Sequence, residues 1–145
     1  MISTHRWRDN WRSVADGGAV YVELPRSRAR RGVSLTAVRE LEAGTPVVLS
    51  ASAPGAAGRC RAFASAAGIS LERGYLAFPS ASTPAYLVED APAPVLRFVT
   101  NVLVAPPRTR FALPLEIGLA LLRSLKSWRL VRALAPGRVV VGRRT

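Results

Sequence analysis

A chain of 145 residues with a single cysteine, Cys60, cannot form an internal disulfide and is long enough to bury a core without one. Its hydrophobic share of 49% argues against a disordered protein, and no apolar run reaches the roughly 18 residues that span a bilayer. The formal net charge of +12 favours an anionic partner, although a genome base composition that favours arginine codons also produces such a charge. We therefore expect one cytoplasmic domain over residues 1–145.

The N-terminal segment has the spacing of a short helix. Within residues 4–15, Trp7, Trp11 and Val14 recur at i, i+4 and i+7, which predicts an amphipathic helix. Such a helix packs its tryptophans on the core, or it presents them beside arginines as a surface for a partner. Both interpretations stay open.

A strand and a basic segment follow. Residues 19–24 (AVYVEL) combine β-branched and aromatic side chains and stop before a proline, which predicts a strand. Glu23 is a candidate substrate contact, because ligands of open α/β sheets bind beyond the carboxyl ends of the strands. The next residues hold four arginines, which we interpret as a solvated loop or as contacts for a phosphate or an acidic partner. These candidate residues are Arg26, Arg28, Arg30 and Arg31.

The following residues predict a helix and a second strand. Apolar residues are spaced by three within residues 34–43, and Gly44 stops that helix. Residues 45–50 (TPVVLS) favour a strand. Pro46, which has no N–H to donate to a neighbour, lies near the start of this strand, as an edge strand permits.

The clearest pattern lies in the middle of the chain, where a helix, a glycine and a strand follow one another. One helical face carries four apolar residues: Cys60, Phe63, Ala64 and Ala67. Gly68 suits a left-handed helix cap, and a β-favouring run continues to Phe78. We interpret Cys60 as a small buried hydrophobic residue. A long polar loop then carries two further candidate contacts, the hydroxyl groups of Ser80 and Tyr86.

The C-terminal part predicts helices and a closing strand. Asp90 is placed to cap a helix whose apolar face covers residues 95–102, or to supply a favourable negative charge at its start. A leucine-rich helix follows over residues 115–134 and is basic on one face, so that it packs on the core or lies on an anionic membrane surface. Residues 138–141 (RVVV) predict the closing strand.

The sequence contains no pattern typical of a catalytic or metal site. His5 is the only histidine, so a histidine metal cluster and a Ser-His-Asp triad are not expected. No glycine-rich phosphate loop or nucleic-acid-binding motif is found, and no aromatic residue interrupts the arginine segment to stack bases. Catalytic and cofactor-binding residues are therefore left unassigned, and no metal ion is predicted.

The order of the elements resembles the C-terminal half of a class I S-adenosylmethionine-dependent methyltransferase. Residues 16–24 resemble the fifth strand of that family, residues 58–78 the following helix and sixth strand, and residues 138–143 the last, antiparallel strand. The resemblance implies a partial Rossmann-like α/β fold, with a small mixed sheet of about four to five strands flanked by helices. It also implies that residues 91–135 are a helical insertion and that residues 45–50 are an extra strand.

The resemblance shapes the functional prediction. The glycine-rich loop and the acidic ribose contact of the family have no counterpart here, so S-adenosylmethionine is implied by the resemblance alone. The segments YLAFPS and AYLVED further resemble methyltransferase-like proteins of bacterial natural-product or polysaccharide biosynthesis. We therefore predict a truncated, methyltransferase-like accessory subunit that pairs with another chain, or with itself, through an open sheet edge.

Two alternative functions stay open. One is a small enzyme whose active site lies between Glu23, the loop at residues 50–52 and the loop at residues 80–86, with an anionic substrate held by the arginines of residues 26–31. The other is a basic module that binds nucleic acid or, as a cytoplasmic peripheral protein, an acidic membrane surface. The three hypotheses differ in their partner, because they require a protein, a small anion or a polyanionic surface.

Overall fold

The computed structural model describes residues 10–15, 17–102, 116–118, 120–121, 124 and 127–145, without the side chains of residues 28, 29 and 33. The chain divides into two compact units, Met1–Leu87 with Ala135–Thr145, and Val88–Leu134. That residues 1–145 form one domain with a helical insertion at 91–135 stays a prediction.

The described residues form a five-stranded mixed sheet with the strand order β1-β2-β5-β3-β4. The strands are β1 (Val20–Glu23), β2 (Pro46–Ser52), β3 (Ile69–Phe78), β4 (Tyr86–Glu89) and β5 (Gly137–Arg144). β1 and β2 are parallel, whereas β5 is antiparallel to both of its neighbours, β2 and β3. The predicted α/β class with a small mixed sheet is confirmed.

Helices connect the parallel strands. The helices with described bounds are the 3-10 helix Asn10–Val14, α1 (Arg28–Arg39), α2 (Ala56–Ala67), α3 (Pro92–Asn101) and α4 (Trp128–Leu134). α1 connects β1 to β2, and α2 connects β2 to β3. α3 and α4 belong to the second unit.

α1 and α2 pack on one face of the sheet. The buried cluster on this face combines strand and helix residues: Val22, Leu24, Val38, Val47, Leu49, Ala51, Ala56, Cys60, Phe63, Ala64, Ala67 and Ile69. The predicted apolar face of α2 is confirmed, because its four residues all belong to this cluster. Gly68 has a φ of 65° and forms the left-handed cap, as predicted. Each large apolar side chain buried here contributes about 1.5–3 kcal/mol.

The 3-10 helix contributes to the second face of the sheet. Val48, Ala77 and Val139 are buried there. The Trp11 ring stacks on Tyr21, with 4.9 Å between the ring centroids and 20° between the planes. Trp11 thus packs on the sheet, but the helix that carries it is a 3-10 helix of five residues rather than the predicted α-helix. The predicted residues 4–9, including Trp7, lie outside the described residues.

From Arg28 onwards the basic segment is a helix and not the predicted loop, whereas Arg26 precedes the helix. α1 begins at Arg28 with Ser27 as its N-cap in an extended conformation. Arginine and alanine are good helix formers, so the helix extends further towards the N-terminus than the apolar spacing indicates. It also ends earlier than predicted, at Arg39, and Gly44 lies in the following turn with a φ of 88°.

Two predictions about strands are wrong. β2 is not an edge strand, because it pairs with β1 on one side and with β5 on the other. Pro46 is tolerated because it is the first residue of the strand, where a missing N–H is least disruptive. Residues 86–89, which were expected in a loop, form β4.

The start of α3, in the second unit, differs from the prediction. Ala91 is the N-cap and makes no side-chain hydrogen bond, and α3 starts at Pro92. Proline suits the first turn of a helix, because its fixed φ is helical and its missing N–H is not needed there. Asp90 is therefore not the N-cap residue of α3. It directly precedes the N-cap, and its carboxylate lies 2.9 Å from the Arg132 Nε atom.

The apolar faces of α3 and α4 are narrower than predicted. Val95, Phe98, Val99 and Val131 are buried in this unit. Val102 follows the end of α3 and is exposed, and Leu134 of α4 is 64% exposed. The predicted helix over residues 115–134 is described in part only, and most of its leucines lie outside the described residues.

Candidate functional site

Four of the predicted contacts, Glu23, Arg26, Ser80 and Tyr86, lie at one end of the sheet, where the parallel strands end. Glu23, the last residue of β1, lies opposite Ser50 in the β1–β2 register. After β2 the chain turns into α2, and the Ala53 N–H donates a hydrogen bond of 2.8 Å to the Pro136 carbonyl. Because Pro136 directly precedes β5, this end of the sheet combines the ends of β1 and β2 with the start of β5.

The loop that carries Ser80 lies at the same end. Gly137, the first residue of β5, touches this loop so closely that an added Cβ would lie 2.6 Å from the Ala81 backbone nitrogen. The Ser80 hydroxyl is 2.8 Å from the Thr83 Oγ1 atom and accepts a hydrogen bond of 3.1 Å from the Thr83 N–H. Ser80 therefore stabilises its own turn. Tyr86 is exposed at the start of β4.

A tyrosine that the sequence analysis did not single out lies beside these residues. The Tyr21 hydroxyl is 2.6 Å from the Ser50 Oγ atom, and Ser50 is 0% exposed. Burial raises the pKa of Tyr21, the hydrogen bond to Ser50 lowers it, and the negative charge of Glu23 raises it further. The phenol therefore stays protonated at neutral pH and is not a general base. Strand alternation was the available signal, since it places Tyr21 and Glu23 on one face.

Two arginines hold the loop between β2 and α2. Arg26 donates a hydrogen bond to the Ala53 carbonyl. Arg59, in the first turns of α2, donates to the Pro54 carbonyl at 2.6 Å and also to the Ser52 carbonyl. Arg26 is thus brought to the predicted site, but its guanidinium group binds the backbone.

The other arginines of the basic segment lie on α1. Arg28 is its first residue, and Arg30 is exposed one position before Arg31. Arg31 is half-buried and lines a groove between α1 and α2 rather than the end of the sheet. Glu23 does not line this groove, and the four predicted arginines do not form one cluster with the strand ends.

Cys60 is a buried thiol behind this end of the sheet. It is 1% exposed, and burial raises its pKa to about 11, although the charges of Arg59 and Arg138 lower it. A thiol with this pKa is protonated at neutral pH and is a poor nucleophile. The interpretation of Cys60 as a small hydrophobic residue is confirmed.

Further arginines bind carbonyl groups at helix ends. The Arg39 guanidinium donates to the Ala66 carbonyl at 2.7 Å and 3.0 Å, close to the C-terminus of α2. Arg144 donates to the Gly68 carbonyl at 3.1 Å. Cations stabilise this negative end of the helix dipole. Part of the net positive charge therefore has a structural role.

The site as a whole offers polar contacts rather than an activated nucleophile. Within the described ranges, no group of three or more His, Cys, Asp or Glu side chains could hold a metal ion. In that same part of the chain, none of the helices has the length and the apolar character needed to cross a membrane. No protein-family model, curated protein or solved structure matches this chain.

Proposed function

We propose that the chain is a methyltransferase-like accessory subunit that functions together with a partner chain. The antiparallel orientation of β5 between β2 and β3 supports this proposal, because the resemblance implies an antiparallel last strand. The resemblance gave the fifth-strand position of the family to residues 16–24, which contain β1, and made residues 45–50 the extra strand. Since α2 and β3 directly follow β2, this proposal reverses that assignment: β2 takes the fifth-strand position and β1 is the additional strand. In this proposal the partner supplies the S-adenosylmethionine site.

The open edge of β1 is the observation that carries the proposal. β1 is the first strand in the sheet order, and β2 is its neighbour within the described residues. The Leu24 N–H donates to the Ser50 carbonyl of β2 at 2.7 Å. Because backbone groups of successive strand residues point to opposite sides, the N–H groups of Tyr21 and Glu23 point away from β2. These groups can pair with a strand of another chain.

A proline at this edge tests the proposal. Glu23→Pro removes an N–H that faces the edge, whereas the matched control Glu23→Ala keeps this N–H and removes only the exposed side chain. A lost interfacial hydrogen bond costs about 1–3 kcal/mol, so Glu23→Pro should weaken association about tenfold or more. Association is measured by sedimentation velocity, for the chain alone and after co-expression with the products of neighbouring genes.

Two outcomes would contradict the proposal. One is a Glu23→Pro variant that associates as strongly as Glu23→Ala. The other is a monomer that binds S-adenosylmethionine tightly on its own in isothermal titration calorimetry. Either result would show that β1 is not the edge at which a cofactor-binding partner joins the sheet.

The two alternative functions receive less support. For an enzyme on an anionic substrate, the Ser80 and Ser50 hydroxyl groups are already bonded within the protein. For a basic binding module, Arg39 and Arg59 are bonded to carbonyl groups. Arg143, which pairs with Glu72 at 3.0 Å, lies opposite Pro46 at the other end of β2 from Ser52.

A further inference from the structure

A groove between α1 and α2 has the size and the lining of a small-ligand site. Its volume is about 490 Å³. Six residues line it: Arg31, Gly32, Leu35, Ala62, Phe63 and Ala66. All of them are apolar except Arg31. Sites for small molecules typically have volumes of about 300–1,000 Å³ and combine apolar walls with a few polar groups.

Arg31 supplies a cation that the described residues leave without a partner. It is half-buried, and within the part of the chain that the structure describes it makes no hydrogen bond or ion pair. This distinguishes it from Arg26 and Arg59, which bind backbone carbonyl groups. A guanidinium group beside an apolar surface pairs well with a carboxylate, sulfonate or phosphate.

The dimensions of the groove select the kind of ligand. Its lining residues cover positions 31–35 of α1 and 62–66 of α2. With a rise of 1.5 Å per residue, this corresponds to about 6 Å along each helix. A docked helix needs anchors over two turns, at i, i+3, i+4 and i+7, and the groove is too short for them. A ring system or a short acyl chain fits this length.

We propose that this groove binds a small, soluble anionic amphiphile, which is an aryl or short acyl group that carries one acidic group. The apolar part lies on Phe63, which is 5% exposed and forms the floor, and on Leu35. The acidic group pairs with Arg31. None of these residues belongs to β1, so the inference does not depend on the proposed pairing with a partner chain.

Gly32 allows the groove to be filled without disturbing the fold. A Cβ added at Gly32 meets no atom within 4 Å. Leucine is also a better helix former than glycine, so Gly32→Leu should not destabilise α1. Gly58→Leu is the matched control, because a Cβ at Gly58 in α2 likewise meets nothing within 4 Å and Gly58 does not line the groove.

Two fluorescent probes separate the apolar part of the site from the ionic part. 8-Anilinonaphthalene-1-sulfonate carries an acidic group, and N-phenyl-1-naphthylamine is a neutral compound with the same ring system. We expect the folded full chain to bind the anionic probe, and Gly32→Leu to weaken this binding about tenfold or more. Arg31→Gln should weaken binding of the anionic probe about threefold to fivefold and leave binding of the neutral probe unchanged. Gly58→Leu and Arg30→Gln should bind both probes as tightly as the unsubstituted protein does.

Three results would overturn the inference. The first is equal binding by Gly32→Leu and Gly58→Leu, with circular dichroism melting curves that show both variants to be folded. The second is an equal loss of affinity for the two probes in Arg31→Gln, because the arginine then does not recognise the acidic group. The third is co-sedimentation with phosphatidylglycerol vesicles, and not with phosphatidylcholine vesicles, by a chain that binds neither soluble probe.

Discussion

Removing the Tyr21 hydroxyl is expected to destabilise the fold more than removing the Ser50 hydroxyl. The two oxygens are 2.6 Å apart, and Ser50 is 0% exposed whereas Tyr21 is half-buried. Tyr21→Phe leaves the Ser50 hydroxyl buried without its partner, which costs about 1–3 kcal/mol. Ser50→Ala leaves a phenol with better access to water, so its cost should be close to one net hydrogen bond, about 0.5–1.5 kcal/mol.

The double variant makes this reasoning quantitative. Replacing both Tyr21 and Ser50 by apolar counterparts removes both polar atoms, and such a change is often nearly neutral. The two single costs should therefore not add, and the interaction free energy, which is the sum of the single costs minus the cost of the double variant, should be about 1.5–4.5 kcal/mol. Urea denaturation at neutral pH, followed by circular dichroism, gives the free energy of unfolding of each variant. The values can be compared when the dependence of that free energy on urea concentration is the same in all variants. Tyr75→Phe is the control, since Tyr75 packs on the same face and should change stability by less than about 0.5 kcal/mol.

Either of two results from the single and double variants would refute this reasoning. Additive costs would mean that the two hydroxyl groups do not depend on each other in the folded protein. A larger cost for Ser50→Ala than for Tyr21→Phe would mean that the Tyr21 hydroxyl, and not the Ser50 hydroxyl, is the group without access to water.

Two further predictions concern a close approach and a buried thiol. Gly137→Ala should destabilise the protein by about 1–3 kcal/mol in the same urea assay, because the new methyl group would lie 2.6 Å from the Ala81 backbone nitrogen. Gly17→Ala is the control and should be neutral, because a Cβ at Gly17 meets nothing within 4 Å. Equal effects of the two alanines would contradict this prediction. Since burial raises the pKa of Cys60 from 9.0 to about 11, the folded state holds its proton longer than the unfolded state, and stability should fall as the pH rises from 9 to 11. Cys60→Ala should lose this part of the pH dependence, and an unchanged profile would show that the thiol titrates alike in both states.

The parts of the fold that could be predicted are those with a local signal. The face of α2 followed from its 3.6-residue periodicity, and Gly68 marked its end because glycine adopts a left-handed cap without strain. β4 has only four residues, with one buried side chain, Val88, so its sequence resembles that of a loop. The apolar spacing of α1 pointed to its middle and left its arginine-rich first turn unassigned.

Contacts that depend on distant residues could not be predicted. Pro46 suggested an edge strand, but its position beside β5 is decided by residues almost a hundred positions later in the chain. The Tyr21–Ser50 bond joins two strands whose register is a tertiary property. The arginines looked like an anion-binding segment, because the sequence does not show which guanidinium group binds a carbonyl, as in Arg26, and which remains available, as in Arg31.

The insertion of β5 between β2 and β3 has a consequence for synthesis of the chain. Residues 79–136 must follow β3 before β5 exists, which takes about 3–12 s at typical translation rates. During this interval the facing edges of β2 and β3 have no common neighbour to pair with. Such edges are sites of aggregation, and sheets that depend on distant pairing fold slowly. The nascent chain therefore needs protection at the centre of its sheet, and a ribosome that stalls before Gly137 releases a product that cannot close it.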